Sequence, residues 1–290
     1  MHLRIMTMED VRAGLQLNRK AGWNQTSADW ERFLRVSPEG CFVAELDGHI
    51  CGTVTTSSFE NRFAWVGMVL VDPEYRSRGI GTKLLEAAIQ HLDDCKIPTI
   101  KLDATPQGRS LYEKLGFVPE YEIERWVLQR SAADGSTADV SAAAAEAPGK
   151  VLSPPDLESI FQIDGEAFGA DRSSLLQSLH DDAPDFTIMI RRGGVPDGYA
   201  FGRHGLFADH LGPWMAKDHL SAQHVLELFL ARSTRETLLV DCLKSRNLVV
   251  SLLTSRGFTF SRPLTRMYRG PNTYPGRPEA LCAILGPEFG

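Results

Sequence analysis

From Val66 to Leu92 the chain runs Val66-Gly67-Met68-Val69-Leu70-Val71-Asp72-Pro73, then Glu74-Tyr75-Arg76-Ser77-Arg78-Gly79-Ile80-Gly81, then Thr82-Lys83-Leu84-Leu85-Glu86-Ala87-Ala88-Ile89-Gln90-His91-Leu92. The apolar run Val69–Val71 has strand character, and Pro73 stops it, because proline offers no N–H to a continuing ladder. Ile80, Leu84, Leu85, Ala88, Ile89 and Leu92 recur at helical spacing, which predicts a helix with one buried face directly after the loop. Gly79 and Gly81 remove the Cβ atoms that would hold a ligand off the helix start, while Arg76 and Arg78 add positive charge beside its unpaired N–H groups. A strand, a turn and a glycine-rich helix N-terminus in this order form a cradle for a pyrophosphate.

A dinucleotide loop would read G-x-G-x-x-G with an acidic residue about 20 positions on, and this spacing does not fit. Downstream, Thr99–Asp103 reads as a strand. Ser110-Leu111-Tyr112-Glu113-Lys114-Leu115-Gly116-Phe117 reads as a short helix closed by glycine, and Glu122–Leu128 as a last strand. Over residues 1 to 130 this pattern resembles the GNAT superfamily of acyl-CoA-dependent N-acetyltransferases. The resemblance implies an α/β fold with a mixed sheet and acetyl-CoA as cosubstrate. It places the cofactor on Met68, Val69, Leu70 and Val71 of the fourth strand and on Arg76, Ser77, Arg78, Gly79, Ile80, Gly81 and Thr82 of the loop. It also matches Tyr112 to the tyrosine that gives a proton to the departing thiolate. The alternative for Tyr112 is a ring packed in the core.

Composition narrows the partners. A net charge of −6 in 290 residues argues against a nucleic-acid partner. No apolar run reaches the roughly 18 residues of a membrane span, and Met1–Thr7 has no signal-peptide character, so a cytoplasmic protein is expected. Cys41, Cys51, Cys95, Cys242 and Cys282 are odd in number and contain no C-x-x-C pair, so neither a disulfide framework nor a metal site is expected.

Residues 131–150 hold eight alanines, Gly135, Pro148 and Gly149 and no aromatic side chain. Such a stretch reads as a linker, or alternatively as an exposed Ala-rich helix over 140–147. It divides the chain into an acetyltransferase domain, 1–130, and a second domain, 151–290. The second half repeats the first: Thr237–Asp241 echoes Thr99–Asp103, Ser251–Phe258 echoes Ser110–Phe117, and Arg266 falls where Arg125 falls. Before its amphipathic helix, however, Trp214–Ala222 contains no glycine, with Leu220 and Ala222 near the two glycine positions, and Leu253 stands in place of Tyr112. The expectation is therefore a tandem GNAT protein whose second copy is degenerate. That copy would shape a substrate pocket, brace the first domain or mediate self-association as a homodimer.

An alkyl amine is mostly protonated at neutral pH, so its attack on a thioester needs a route for proton loss. Glu45, His49, Glu60 and Asp103 are the candidate bases near strands of the first domain, and an ordered water chain would leave no mark in the sequence. A backbone N–H between Met68 and Val71 would polarise the thioester carbonyl. Trp65 is placed just ahead of the fourth strand as a wall near the acceptor. Trp30, Phe33 and Leu34 are spaced as helical core residues, with Thr26 or Ser27 as the N-cap. Trp23 and Asn24 in the preceding turn are the candidate acceptor-binding residues, although Trp23 reads equally as a hydrophobic staple. The activity expected is acetyl transfer to a primary amine of a small molecule such as an amino acid, polyamine, metabolite or drug. A protein N-terminus or lysine is the variant acceptor, and a noncatalytic acyl-CoA-binding regulatory module is the competing class.

Overall fold

The computed structural model describes residues 1–130 and 152–290. The linker read at 131–150, with its helical alternative, lies outside the described residues. The chain forms two compact units, and neither is a continuous stretch. The first comprises Met1–Glu120, Thr265–Tyr274 and Pro287–Gly290; the second comprises Tyr121–Leu264 and Pro275–Gly286.

In the first unit the elements are β1 (His2–Ile5), α1 (Val11–Ala21), α2 (Ser27–Val36), β2 (Phe42–Leu46), β3 (His49–Phe59), β4 (Phe63–Val71), α3 (Ile80–Asp94), β5 (Ile100–Ala104) and α4 (Pro106–Lys114). The sheet runs β1-β2-β3-β4-β5 and is completed by Thr265–Arg269, the latter half of β11 (Thr259–Arg269), antiparallel to β5. Only β4 and β5 are parallel in this order. The residues buried on α3 are Ile80, Leu84, Leu85, Ala88, Ile89 and Leu92, the set that the helical spacing predicts. They pack on Val54, Ala64, Val66, Ile100, Leu102 and Ala104, so alternate positions of β3, β4 and β5 face α3. Thr26 is the N-cap of α2 in a capping box with Asp29, and Trp30, Phe33 and Leu34 are buried as expected.

The second unit contains most of β6 (Val118–Gln129), then α5 (Pro154–Phe168), α6 (Ser173–Asp182), β7 (Ile188–Arg192), β8 (Val195–His204), β9 (Asp209–Ala216), α7 (His219–Arg232), β10 (Thr237–Leu243), α8 (Asn247–Ser255) and β12 (Leu281–Ala283). Its sheet order is β6-β10-β12-β9-β8-β7, and β10 also pairs in parallel with the start of β9.

The last strand of each repeat therefore lies in the unit built mainly from the other repeat. The sequence division at 130/151 keeps each last strand with its own repeat, and the compact units do not follow it. The ion pairs show what each exchange supplies. In the first unit Arg266 of β11 clasps Asp103 of β5 with two hydrogen bonds of 2.9 Å. In the second, Arg125 of β6 clasps Asp241 of β10 at 2.7 and 2.6 Å, and His210 Nε2 lies 3.1 Å from the same carboxylate. Asp103 and Asp241 side chains are wholly buried. Burial alone would raise the Asp241 carboxyl pKa, but Arg125 and His210 outweigh it and hold the group well below the usual carboxylate range.

This pair predicts a specific loss. Asp241→Asn leaves Arg125 in place without its counter-charge, which costs about 3–5 kcal/mol for a buried pair. A denaturant unfolding series measures it as a lowered midpoint. Because the folded carboxyl titrates below the unfolded one, its stabilising contribution is complete above about pH 4 and fades as the pH falls further. The Asn variant should lack that part of the acid dependence.

Candidate active site

The strand and loop singled out by the sequence lie at one end of the first unit's sheet. β4 and β5 pair only through Ala64–Ile100 and Trp65–Lys101, supported by the Ala64 N–H to the Thr99 carbonyl at 2.9 Å. Beyond Trp65 the two strands part. The cause is local to β4: its register against β3 shifts between the Thr53–Leu70 and Thr55–Gly67 pairs, and Met68 adopts a left-handed φ of 50°. That is a bulge, which bends the strand and adds twist. The Thr53 hydroxyl donates to the Met68 carbonyl at 2.8 Å. The peptide is trans and planar, so this bond leaves the Val69 N–H directed away from Thr53. Thr53 was not singled out from sequence, where it is one residue of the run Thr53-Val54-Thr55-Thr56-Ser57-Ser58 and carries no distinguishing spacing.

β4 ends at Val71, as Pro73 requires. Asp72 accepts from the Glu74 N–H and pairs with Lys20 of α1 at 2.6 Å, which anchors the start of the loop. Ser77 and Gly79 have φ of 62° and 75°, and Gly79 is the N-cap of α3. No side chain caps this helix, so the N–H groups of its first turn are left for solvent or a ligand. A Cβ at Gly79 would meet no atom within 4 Å, and one at Gly81 only the Val71 side chain at 3.5 Å. Arg76 and Arg78 are exposed. They fold back over the loop, Arg76 to the Val71 carbonyl at 3.2 Å and Arg78 to the Glu74 carbonyl at 3.4 Å, with the Arg78 guanidinium 5.3 Å from the Tyr75 ring centre. Ile80 is in the core, so only its backbone is available to a ligand. An uncapped helix start, open space at both glycines and two arginines fit a polyanion.

Tyr112 projects from α4 onto the same core. Its ring centre is 6.1 Å from that of Phe117, and a Cβ on Gly108 would come within 2.8 Å of the ring, so a larger residue at this helical position would displace Tyr112. Loss of hydration pushes the phenol up to about 12, which keeps it protonated through the physiological range.

The four candidate bases are placed as follows. Asp103 is bound to Arg266, Glu45 accepts from Arg4 at 3.1 Å, Glu60 pairs with Arg62 at 3.2 Å in the β3–β4 turn, and His49 is exposed at the start of β3. Trp65 lies within β4, not ahead of it. It is buried, its indole N–H donates to the Pro287 carbonyl at 3.0 Å, and the Arg266 guanidinium sits 4.4 Å from its ring centre. Trp23 is half-buried beyond the left-handed Gly22, its N–H bonded to the Asn18 carbonyl, and Asn24 is buried. Among the described residues no cluster of three or more acidic, His or Cys side chains could hold a metal ion, all five cysteines are free, and no helix is long and apolar enough to cross a membrane.

The corresponding places in the second unit are filled by protein atoms. The N-cap of α7 is Asp218, two residues earlier than the sequence reading placed the loop glycine positions, because Asp218 itself accepts from the Ser221 N–H at 2.9 Å. Ser221 also donates to Asp197, and Arg192 bridges Asp197 and Asp218 at 2.9 and 2.8 Å. β9 and β10 diverge after Leu211–Val240, and β12 lies in the gap, paired with both strands. Leu253, opposite Tyr112 in the repeat, is buried in an apolar cluster.

The sequence profile of the Acetyltransferase (GNAT) family matches residues 8–117, and that of a second Acetyltransferase (GNAT) domain matches residues 160–283. The chain belongs to the GNAT acetyltransferases, carries two copies of the domain, and is an acyltransferase. It is 24% identical to the holothin acyltransferase of Pseudoalteromonas sp. over 92% of this chain and 87% of the relative. It is 32% identical to the mycothiol acetyltransferase of Acidimicrobium ferrooxidans, over 43% of this chain and 46% of that protein. Among solved structures, an acetyltransferase-like protein from Pyrococcus horikoshii shares the fold with a TM-score of 0.79 at 22% identity, covering 100% of this chain and 95% of its own. A GCN5-related N-acetyltransferase from Sphaerobacter thermophilus follows at 0.64 and 16%, covering 93% and 95%.

The loop geometry yields a direct expectation. At Gly81 the Cβ of a substituted valine meets only the Val71 side chain, at 3.5 Å, so Gly81→Val should fold, while the added isopropyl group should obstruct a ligand at the α3 N-terminus. Calorimetry should show acetyl-CoA binding abolished with the melting temperature within a few degrees of wild type.

Proposed function

We propose that the first unit transfers the acetyl group of acetyl-CoA to a primary amine of a small molecule in a ternary complex. The observation that carries this reading is the uncapped, arginine-flanked start of α3 directly after a strand that parts from its neighbour. The similarity to holothin acyltransferase and to mycothiol acetyltransferase supports a small-molecule acceptor.

Acetyl-CoA supplies an acetyl group activated as a thioester. Gly79, Ile80, Gly81 and Thr82 would hold its pyrophosphate through backbone N–H groups, with Ser77, Arg76 and Arg78 beside them. Met68, Leu70 and Val71 would line the path between the parted strands. The Val69 N–H, on the same peptide as the Met68 carbonyl that Thr53 holds, would stabilise negative charge on the thioester oxygen as it develops. Tyr112 holds a proton at its hydroxyl for the departing sulfur, and its raised pKa means that it does not ionise first. The neutral amine nitrogen forms the new C–N bond as the C–S bond breaks; its proton passes to solvent through ordered water, the thiolate takes the Tyr112 proton to leave as CoA thiol, and Tyr112 regains a proton from solvent. Trp23 and Asn24 would border the acceptor. Tyr112 favours catalysis over a noncatalytic acyl-CoA sensor, because a sensor needs no acid at the sulfur.

The second unit binds no acetyl-CoA in this reading. Asp218 puts a carboxylate where a phosphate would sit, and β12 fills the gap between β9 and β10. Titration of the full chain should give one acetyl-CoA per chain, and a stoichiometry of two would overturn the assignment.

Tyr112→Phe removes the hydroxyl and keeps the ring on Gly108 and Phe117. A lost general acid typically costs ~10²- to 10⁴-fold. Single-turnover CoA release should fall by that order with acetyl-CoA affinity unchanged, since the interaction forms as charge develops. Because the phenol titrates near pH 12, raising the pH from 7 to 10 should not by itself abolish the wild-type advantage. A fall of less than about threefold, well short of the usual contribution of an acid, would make Tyr112 a packing residue.

A further inference from the structure

Side chains alternate along β4 and β5. Ala64 and Val66, with Ile100, Leu102 and Ala104, belong to the core under α3, so Trp65, Gly67, Lys101 and Asp103 face the opposite side of the sheet. If the cofactor is held from the α3 loop, an acceptor reaches the thioester from this opposite face. Within the first unit that face carries a short segment distant in sequence, Pro287–Gly290. The contacts that seat it include the following. The Trp65 indole donates to the Pro287 carbonyl at 3.0 Å, the Phe289 ring stacks on Phe33 of α2 with centres 4.4 Å apart and planes 16° from parallel, and the Glu288 backbone abuts Gly67. The last contact is close enough that a Cβ on Gly67 would come within 2.7 Å of the Glu288 carbonyl oxygen. Glu288 and Phe289 are 4% and 1% exposed. Gly67 immediately precedes Met68, the left-handed residue of the bulge, so the segment meets β4 at the point where it parts from β5.

We propose that Pro287–Gly290 is the wall of the acceptor site, and that Phe289, held by its stack on Phe33, sets the size of amine admitted and keeps water from the thioester. The proposal rests on the transferase reading above and adds a specificity-determining segment to it. Its chemistry is exclusion by shape: a rigid apolar stack beside a strand that has no side chain at the contact admits a small or slender amine and rejects a bulky one. Excluding water from such a site suppresses hydrolysis, in which water attacks the thioester carbon, the C–S bond breaks and acetate and free CoA thiol form.

The test uses the full-length chain with Phe289→Ala, and with Phe289→Leu, which keeps most of the core volume should the alanine variant melt. Three quantities are measured: acetyl-CoA affinity by calorimetry, release of CoA thiol without amine and with linear primary amines from four to eight carbons, and hydrogen exchange of the 65–69 amides without ligand. If the segment is the wall, both variants should keep acetyl-CoA affinity within about twofold, since neither touches the loop that would bind phosphate. Amine-free thiol release should rise by about threefold or more, the longer amines should gain in relative kcat/KM, and exchange at 65–69 should quicken. Faster exchange with unchanged amine preference and unchanged hydrolysis would overturn the wall and make the segment a packing element. A wild type that binds acetyl-CoA yet releases no thiol with any amine would overturn the transferase reading itself, a result distinct from the first.

Discussion

Two buried carboxylates, Asp103 and Asp241, organise this chain. Each lies on a strand in the interior of a sheet order, where an unpaired charge costs several kcal/mol, and each is met by an arginine from the last strand of the other repeat. The bidentate geometry matters as much as the charge, because a guanidinium satisfies both carboxylate oxygens at once. Arg266 also lies over the face of Trp65, so the cation that satisfies Asp103 also helps to fix a side chain beside the candidate site. Completion of the sheet, satisfaction of the carboxylate and placement of Trp65 are thus consequences of one strand arriving at β5.

The two units pose the same physical problem twice and answer it differently. A helix start leaves N–H groups unpaired, and two diverging strands leave backbone edges unpaired. In the second unit these groups are met from within the protein, by Asp218 at the helix and by β12 between the strands. In the first unit no side chain caps α3, and β4 and β5 have no pairing with each other past Trp65. The difference is written in a few residues: Gly79 against Asp218 at the N-cap, and Tyr112 against Leu253 on the following short helix.

Much of this was legible in the sequence because it is local. The apolar spacing of α3, the end of β4 at Pro73, the Thr26 cap and the repeat of the strand–helix–strand pattern all follow from neighbours within a few turns of chain. The exchange of last strands was not legible, for a specific reason: Arg125 and Arg266 occupy matching positions, as do Asp103 and Asp241, so either arginine satisfies either aspartate and the pattern alone cannot choose. The bulge at Met68 depends on Thr53, a residue indistinguishable in sequence from its neighbours. The segment at Gly67 was equally silent, since the contacts of Phe289 and Pro287 with Phe33 and Trp65 join positions more than 200 residues apart.

The exchanged strands also bear on how such a chain can change over generations. Deleting the second repeat would remove Thr265–Arg269 along with it, stripping β5 of its neighbour and Asp103 of its arginine. Fission into two separate genes would demand that the products find each other and trade strands before either could finish folding. A duplicated half whose helix start is capped by its own Asp218 would ordinarily be free to disappear. Here it is tethered to its twin by a shared scaffold, so its loop and its cleft can drift while its final strand cannot.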